Sequence, residues 1–190
     1  SMPDWQGDLY EEGLQGCGMQ EDMAERVEKA FRQDTGCILA TGPEDAGVST
    51  TYFAMTRHID IFTNEVIYLT EESPHDFQQI RVRNFDPEGG ETFEKAYEKA
   101  LRDEPHILMY DELAGDEPGQ HLLEFAVERG EVLSTVRAPS AAEALVNLAK
   151  EDVDPAVLAD AMLIVVNQRL IRTLCDSCKE PVEELNPRLL

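Results

Sequence analysis

Three groups of residues in this sequence have types and spacing that suit chemistry. The first is Gly42-Pro-Glu-Asp-Ala-Gly-Val-Ser-Thr50, whose glycines and hydroxyls match the phosphate-binding pattern G-x-x-x-x-G-K-[S/T] at every position but one. In a working loop of this kind, backbone N–H groups and a helix N-terminus cradle the phosphates. A lysine reaches the β- and γ-phosphates and a hydroxyl holds Mg²⁺. Here Val48 stands in the lysine's place, Ser49 keeps the hydroxyl, and Glu44 and Asp45 put two carboxylates beside the phosphate oxygens' position. Losing a cation and gaining two anions disfavours phosphate by several kcal/mol, at about 4 kcal/mol per close pair near a surface. The plain alternative is a strand-to-helix turn with no ligand. A further one is a cation held by Glu44 and Asp45.

The second group is Asp111-Glu112, directly after the apolar run Ile107-Leu-Met-Tyr110. An acidic pair in that position suits Mg²⁺ and a general base in phosphoryl transfer. The third is Cys175-x-x-Cys178, which has the spacing of half a tetrahedral zinc site. Zinc then requires a second such pair from outside this sequence, since Cys17 and Cys37 are far away along the chain. A redox role is disfavoured because the pair follows an expected helix instead of opening one after a strand. The histidines His58, His75, His106 and His121 show no metal-ligand spacing; His58 and His121 read as helix-surface residues. Met19, Met23, Met55, Met109 and Met162 fit core positions better than a cofactor box.

These groups need elements to hold them. Apolar residues at helical spacing (Met23, Val27, Ala30, Phe31) predict a helix over 20–32. Buried strands are predicted at Cys37–Ala40, Val66–Leu69, Ile107–Tyr110 and Val132–Thr135, with a half-exposed one at Ile80–Arg83. Helices are expected from Ser49 to about His58, from Thr92 as a cap to Asp103, and from Glu117 to Arg129. More follow from Ser140 to Lys150 and from Pro155 to about Leu174, making the C-terminal part helical. Pro87-Glu-Gly-Gly90 reads as a turn. Strands alternating with helices imply a parallel sheet covered on both faces. The division expected is a lead-in over 1–19, one α/β domain over 20–174, and a tail over 175–190 carrying the cysteine pair.

With 39 acidic and 16 basic residues in 190, the formal charge is −23. Nucleic acid and anionic membrane surfaces are repelled by such a chain. The charge fits a solvated acidic surface or one that meets a basic partner, and it favours a monomer in isolation. The opening residues lack the basic and apolar regions of a leader, and Ala156–Val166, interrupted by Asp160, is too short to span a bilayer. Free thiols in a reducing cytoplasm are the default for these cysteines.

Several segments together resemble the motor ATPases of bacterial type II secretion and type IV pilus systems. Gly36-Cys-Ile-Leu-Ala-Thr-Gly-Pro43 with Ser49-Thr-Thr-Tyr-Phe-Ala-Met55 is similar to their Walker A segment. Arg102-Asp-Glu-Pro-His-Ile-Leu-Met-Tyr-Asp-Glu112 is similar to their Walker B segment. Leu133-Ser134-Thr135 matches the strand before their histidine box. Asn167-Gln-Arg-Leu-Ile-Arg-Thr-Leu-Cys-Asp-Ser-Cys-Lys-Glu-Pro181 resembles the stretch leading into their cysteine module. The resemblance implies a RecA-like P-loop fold with a mostly parallel central sheet, hexameric rings, and ATP hydrolysis with Mg²⁺ at the cytoplasmic side of an inner-membrane assembly.

It also exposes losses. The Walker A lysine is Val48, although Gly42, Gly47, Ser49 and Thr50 remain. The acidic pair of the aspartate box is shifted or partly replaced in Tyr68-Leu-Thr-Glu-Glu72. The arginine before Walker B is Glu98, the glycine before Glu112 is Asp111, the following Arg-Asp is Ala114-Gly115, and the histidine-box histidine is Arg137 with Ala138 after it. The expectation is therefore a catalytically inactive relative that binds proteins of such a machine, among them related ATPase subunits. The alternative is an active ATPase using Asp111 and Glu112 with a cation supplied from elsewhere, Arg57, Arg81 and Arg83 being the candidates within the chain.

Overall fold

Four stretches of this chain are mostly apolar, and they become the inner strands of one sheet. The computed structural model describes residues 13–72, 77, 80–86, 88–114, 116–151, 153–172, 174–175 and 177–180. Of the readings above, those on His75, Pro87, Gly115, Pro181 and residues 1–12 lie outside the described residues.

The strands are β1 (Gly36–Gly42), β2 (Val66–Thr70), β3 (Arg81–Asn84), β4 (Ile107–Tyr110), β5 (Glu131–Arg137) and β6 (Met162–Asn167). All pair in parallel, in the order β3-β2-β4-β5-β1-β6. Parallel strands at the centre of such a sheet bury both faces, so their sequences carry no polar alternation. The helices are α1 (Gly13–Gly16), α2 (Glu21–Ala30), α3 (Val48–Met55), α4 (Phe93–Arg102), α5 (Glu117–Glu128), α6 (Ala141–Lys150) and α7 (Pro155–Ala161). Strand residues alternate between two cores. Leu39, Ile67, Leu69 and Leu108 pack with residues of α4, α5, α6 and α7. Ile38, Ala40, Tyr68 and Met109 pack with residues of α1, α2 and α3.

Differences from the sequence reading are informative. The helix expected to run from Pro155 to about Leu174 stops at Ala161, and Met162–Asn167 continues directly as β6, parallel to β1. No turn residue separates the two elements, and the β-branched run Ile164-Val165-Val166 favours the pleated conformation. The C-terminal part is thus a strand followed, among the described residues, by an arm without regular secondary structure. Gly13–Gly16, within the stretch read as a lead-in, turns as α1 and buries Leu14 completely. Met23, expected in the core, is exposed, because α2 turns Ala24, Val27 and Ala30 inward on the adjoining stripe. His58, expected on the surface, lies against α2 with Nδ1 3.1 Å from Glu28 and Nε2 buried.

The two faces close differently. α3 buries Thr51 through Met55 as one unbroken run, as a helix enclosed on all sides must. Helices α5, α6 and α7 begin with side-chain caps. Asp116 accepts from the Gly119 N–H, Ser140 from the Glu143 N–H and Asp154 from the Ala156 N–H.

Candidate functional site

Because every strand is parallel, the residues following β1, β2, β4, β5 and β6 emerge on one edge of the sheet, where ligand sites of α/β folds form. The glycine loop and the Asp111-Glu112 pair singled out in the sequence both lie there.

β1 ends at Gly42 and α3 begins at Val48, so the loop occupies the expected strand-to-helix junction. Asp45 (φ +58°) and Gly47 (φ +74°) take left-handed conformations, and the Ala46 N–H donates to the Pro43 carbonyl at 3.2 Å. Glu44, Asp45 and Ser49 are exposed, while Val48 is half-buried and packs on the core. Its Cγ2 lies 2.9 Å from where a Cβ on Gly42 would stand. The Thr41 hydroxyl donates to the Ala138 carbonyl at 3.3 Å, and the Ala138 N–H donates to the Gly42 carbonyl at 3.3 Å. These two bonds tie the base of the loop to the end of β5.

Two strand positions away, at roughly 10 Å given the usual strand spacing, Asp111 follows β4. Its carboxylate accepts hydrogen bonds from the Tyr68 hydroxyl and, at 2.5 Å, from the Thr70 hydroxyl. Its backbone carbonyl accepts from the Thr135 hydroxyl, and the Leu113 N–H donates to the Thr135 carbonyl at 2.8 Å. One residue therefore joins the ends of β2, β4 and β5. Burial pushes the Tyr68 hydroxyl well above the ordinary phenol range, and its bond to the carboxylate adds to this. The Tyr52 hydroxyl of α3 is buried with no partner among the described residues. Burial raises its pKa first, then the proximity of Tyr68 and Asp111. Tyr52, Phe53 and Tyr68 form a ring cluster that seats α3, and hence the loop, beside Asp111.

The remaining candidates are dispersed. Glu112 is exposed, 3.8 Å from Arg137, which stands in the histidine-box position. Arg81 and Arg83 lie on β3 at the far edge of the sheet, four strand positions from β1. Asp103 pairs with both, at 3.0 Å and 2.6 Å, and Glu65 with Arg81 at 3.0 Å. They are not neighbours of the loop. Arg57 sits at the opposite end of α3 from the loop. Cys175 and Cys178 are exposed free thiols in a turn where the N–H groups of Cys178 and Lys179 donate to the Cys175 carbonyl. The Ser177 N–H draws the Cys175 thiol below its ordinary pKa, helped by Cys178. That turn supplies two of the four ligands zinc takes, and no group of three or more His, Cys, Asp or Glu suited to a metal occurs among the described residues. Nor is any described helix long and apolar enough to cross a membrane.

Sequence reasoning missed Tyr68, Thr70 and Thr135 as partners of Asp111. A hydroxyl inside an otherwise apolar strand was the available signal.

The family model described as type II/IV secretion system protein matches residues 6–189. The chain belongs to this family. It is 29% identical over 168 residues to the type II secretion system protein E of Dickeya dadantii, covering 88% of this chain and 34% of that protein. It is 30% identical over 180 residues to the type IV pilus assembly ATPase PilB of Pseudomonas aeruginosa, covering 94% and 31%. The chain thus spans about a third of the length of these family members. Among solved structures, the pilus retraction motor PilT with bound ADP superposes with a TM-score of 0.65 at 23% identity, over 80% of this chain and 46% of that one. The VirB11 ATPase of Brucella suis in complex with sulphate gives 0.62 at 18%, over 88% and 53%. These likenesses establish the family's RecA-like α/β fold.

Proposed function

We propose that this domain is a nucleotide-silent member of the secretion and pilus ATPase family, serving as a protein-binding component of such a machine. Val48 carries the reading: it stands where the family's lysine would reach the phosphates and packs its side chain back over Gly42. Two further features support it. Glu44 and Asp45 front the loop with negative charge, and phosphoryl transfer depends on cations gathered round the phosphates. The Asp111 carboxylate is already engaged by Tyr68 and Thr70, so ligating Mg²⁺ would mean giving up those bonds. The residues present thus do not fit ATP with Mg²⁺.

The partners we infer are proteins of a secretion or pilus assembly, including related ATPase subunits, on the cytoplasmic side of the membrane. Relatives named as type II secretion protein E and PilB support that setting. In isolation a charge of −23 favours the monomer, since ring closure would crowd carboxylates together.

Calorimetric titration of the domain with ATP, and with a slowly hydrolysed analogue, in the presence of Mg²⁺ tests the reading. No heat of binding at millimolar nucleotide is expected. Micromolar affinity would mean that another cation replaces the missing lysine, and the active-ATPase alternative would take its place.

A further inference from the structure

The two glycines that define the loop both face another segment of the same chain. β6 ends at Asn167, and the residues after it cross the loop. The Gln168 N–H donates to the Thr41 carbonyl at 2.9 Å, and its side-chain Nε2 donates to the Ala46 carbonyl at 2.7 Å. A Cβ on Gly42 would stand 2.7 Å from the Gln168 carbonyl oxygen. A Cβ on Gly47 would meet Gln168 Nε2 at 3.4 Å and Leu170 Cδ2 at 3.5 Å, and the left-handed backbone there already favours glycine. On the other side, Arg169 Nη2 donates to the Pro139 carbonyl at 3.0 Å, just beyond the end of β5. Both glycines therefore have a reason to be glycine that involves no phosphate.

We propose that Gln168–Leu170 is an internal latch, with Gln168 as the positioning residue, that holds the 42–49 loop in one shape without a ligand. The latch couples the loop to the C-terminal arm. Immediately beyond Gln168 the arm exposes Leu170, Ile171 and Leu174, at 72%, 83% and 77%. This inference goes beyond the nucleotide-silent reading and does not depend on it.

Amide hydrogen exchange on the full chain tests it, with the protection of loop amides Ala46–Thr51 read relative to α5 in the same molecule. That ratio keeps a general loss of stability from imitating the effect. Gln168→Met preserves length and removes the donor; Gln168→Glu sets a carboxylate against the Ala46 carbonyl. Loop exchange relative to α5 is expected to quicken about tenfold in the first variant and further in the second, the scale of one lost hydrogen bond. A ratio within about twofold of the wild type in both variants, well under that scale, would overturn the latch. The ratio judges the latch whether or not the wild-type chain binds ATP, so the two readings fail separately.

Discussion

Asp111 at the C-terminal end of β4 and Glu131 at the start of β5 sit at opposite ends of two paired strands, and their carboxyl groups meet opposite conditions. Asp111 is exposed as a residue, yet its oxygens accept from Tyr68 and Thr70. Glu131 is 3% exposed, and neither of its carboxyl oxygens has a partner among the described residues. Burial, with Asp34 close by, raises the Glu131 pKa from 4.5 to about 7. At one end of the sheet hydroxyl donors surround the carboxyl oxygens; at the other, burial takes a carboxyl out of water and favours its neutral form. The site end is organised by the chain's own side chains, and Glu131 makes the other end sensitive to pH around neutrality.

Removing Asp111 should have the largest effect. Asp111→Ala leaves the Tyr68 hydroxyl without its acceptor, leaves Thr70 only its 3.2 Å bond to the Glu72 carbonyl, and removes the side-chain tie between the ends of β2 and β4, which stay paired through their backbones. It is expected to cost about 2–3 kcal/mol, from roughly 1–3 kcal/mol for the hydroxyl left unsatisfied and about 1 kcal/mol for the lost Thr70 bond. Urea unfolding with an unchanged denaturant slope would read it directly. A cost below about 0.5 kcal/mol would place this carboxylate among ordinary surface groups, free for a metal, and the comparison would lose one side.

Glu131→Gln comes next. A carboxyl whose pKa is raised by folding stabilises the native state most when protonated. That contribution is fully present below pH 4.5, the unfolded value, and is lost as pH rises through about 7. The amide removes the penalty of ionisation. The variant should therefore be more stable than the wild type at pH 8, on the order of 1–2 kcal/mol, and show no such gain near pH 4. Chemical denaturation at both pH values is the check. Equal stabilities at pH 8 would show that Glu131 ionises in the fold without penalty.

The sequence foretold more of the scaffold than of the connections across it. β1, β2, β4 and β5 were legible because strands buried on both faces carry short, mostly apolar runs. β6 was not, since Ala161 passes into Met162 with no turn residue to break the pattern. Gly42 and Gly47 were singled out by spacing and Asp111 and Glu112 by their place after an apolar run, but the partners the structure gives them were not. Tyr68 lies 43 residues from Asp111 and Gln168 lies 122 from Ala46. No local periodicity encodes such pairs; only the strand order brings them together. Glu131 was hidden for a related reason: it heads a strand and reads as a polar boundary residue until the packing closes over it.

The smallest effect is expected at the second member of the acidic pair that follows β4. Glu112, one of the two acidic candidates read from the sequence, lies 3.8 Å from Arg137, with both side chains more than half exposed. A long, solvated pair gains little Coulomb energy and loses side-chain freedom, so Arg137→Ala should change stability by less than about 0.5 kcal/mol. The same substitution tests the electrostatics of the edge, because it removes a cation from the side of the sheet that carries Glu44 and Asp45. If the pair organised a site, its loss would cost more than about 1 kcal/mol and the cost would shrink as salt screened it. A null result at low salt would leave Asp111 as the acidic residue that this edge depends on, and would locate the contrast with Glu131 in hydrogen bonding instead of ion pairing.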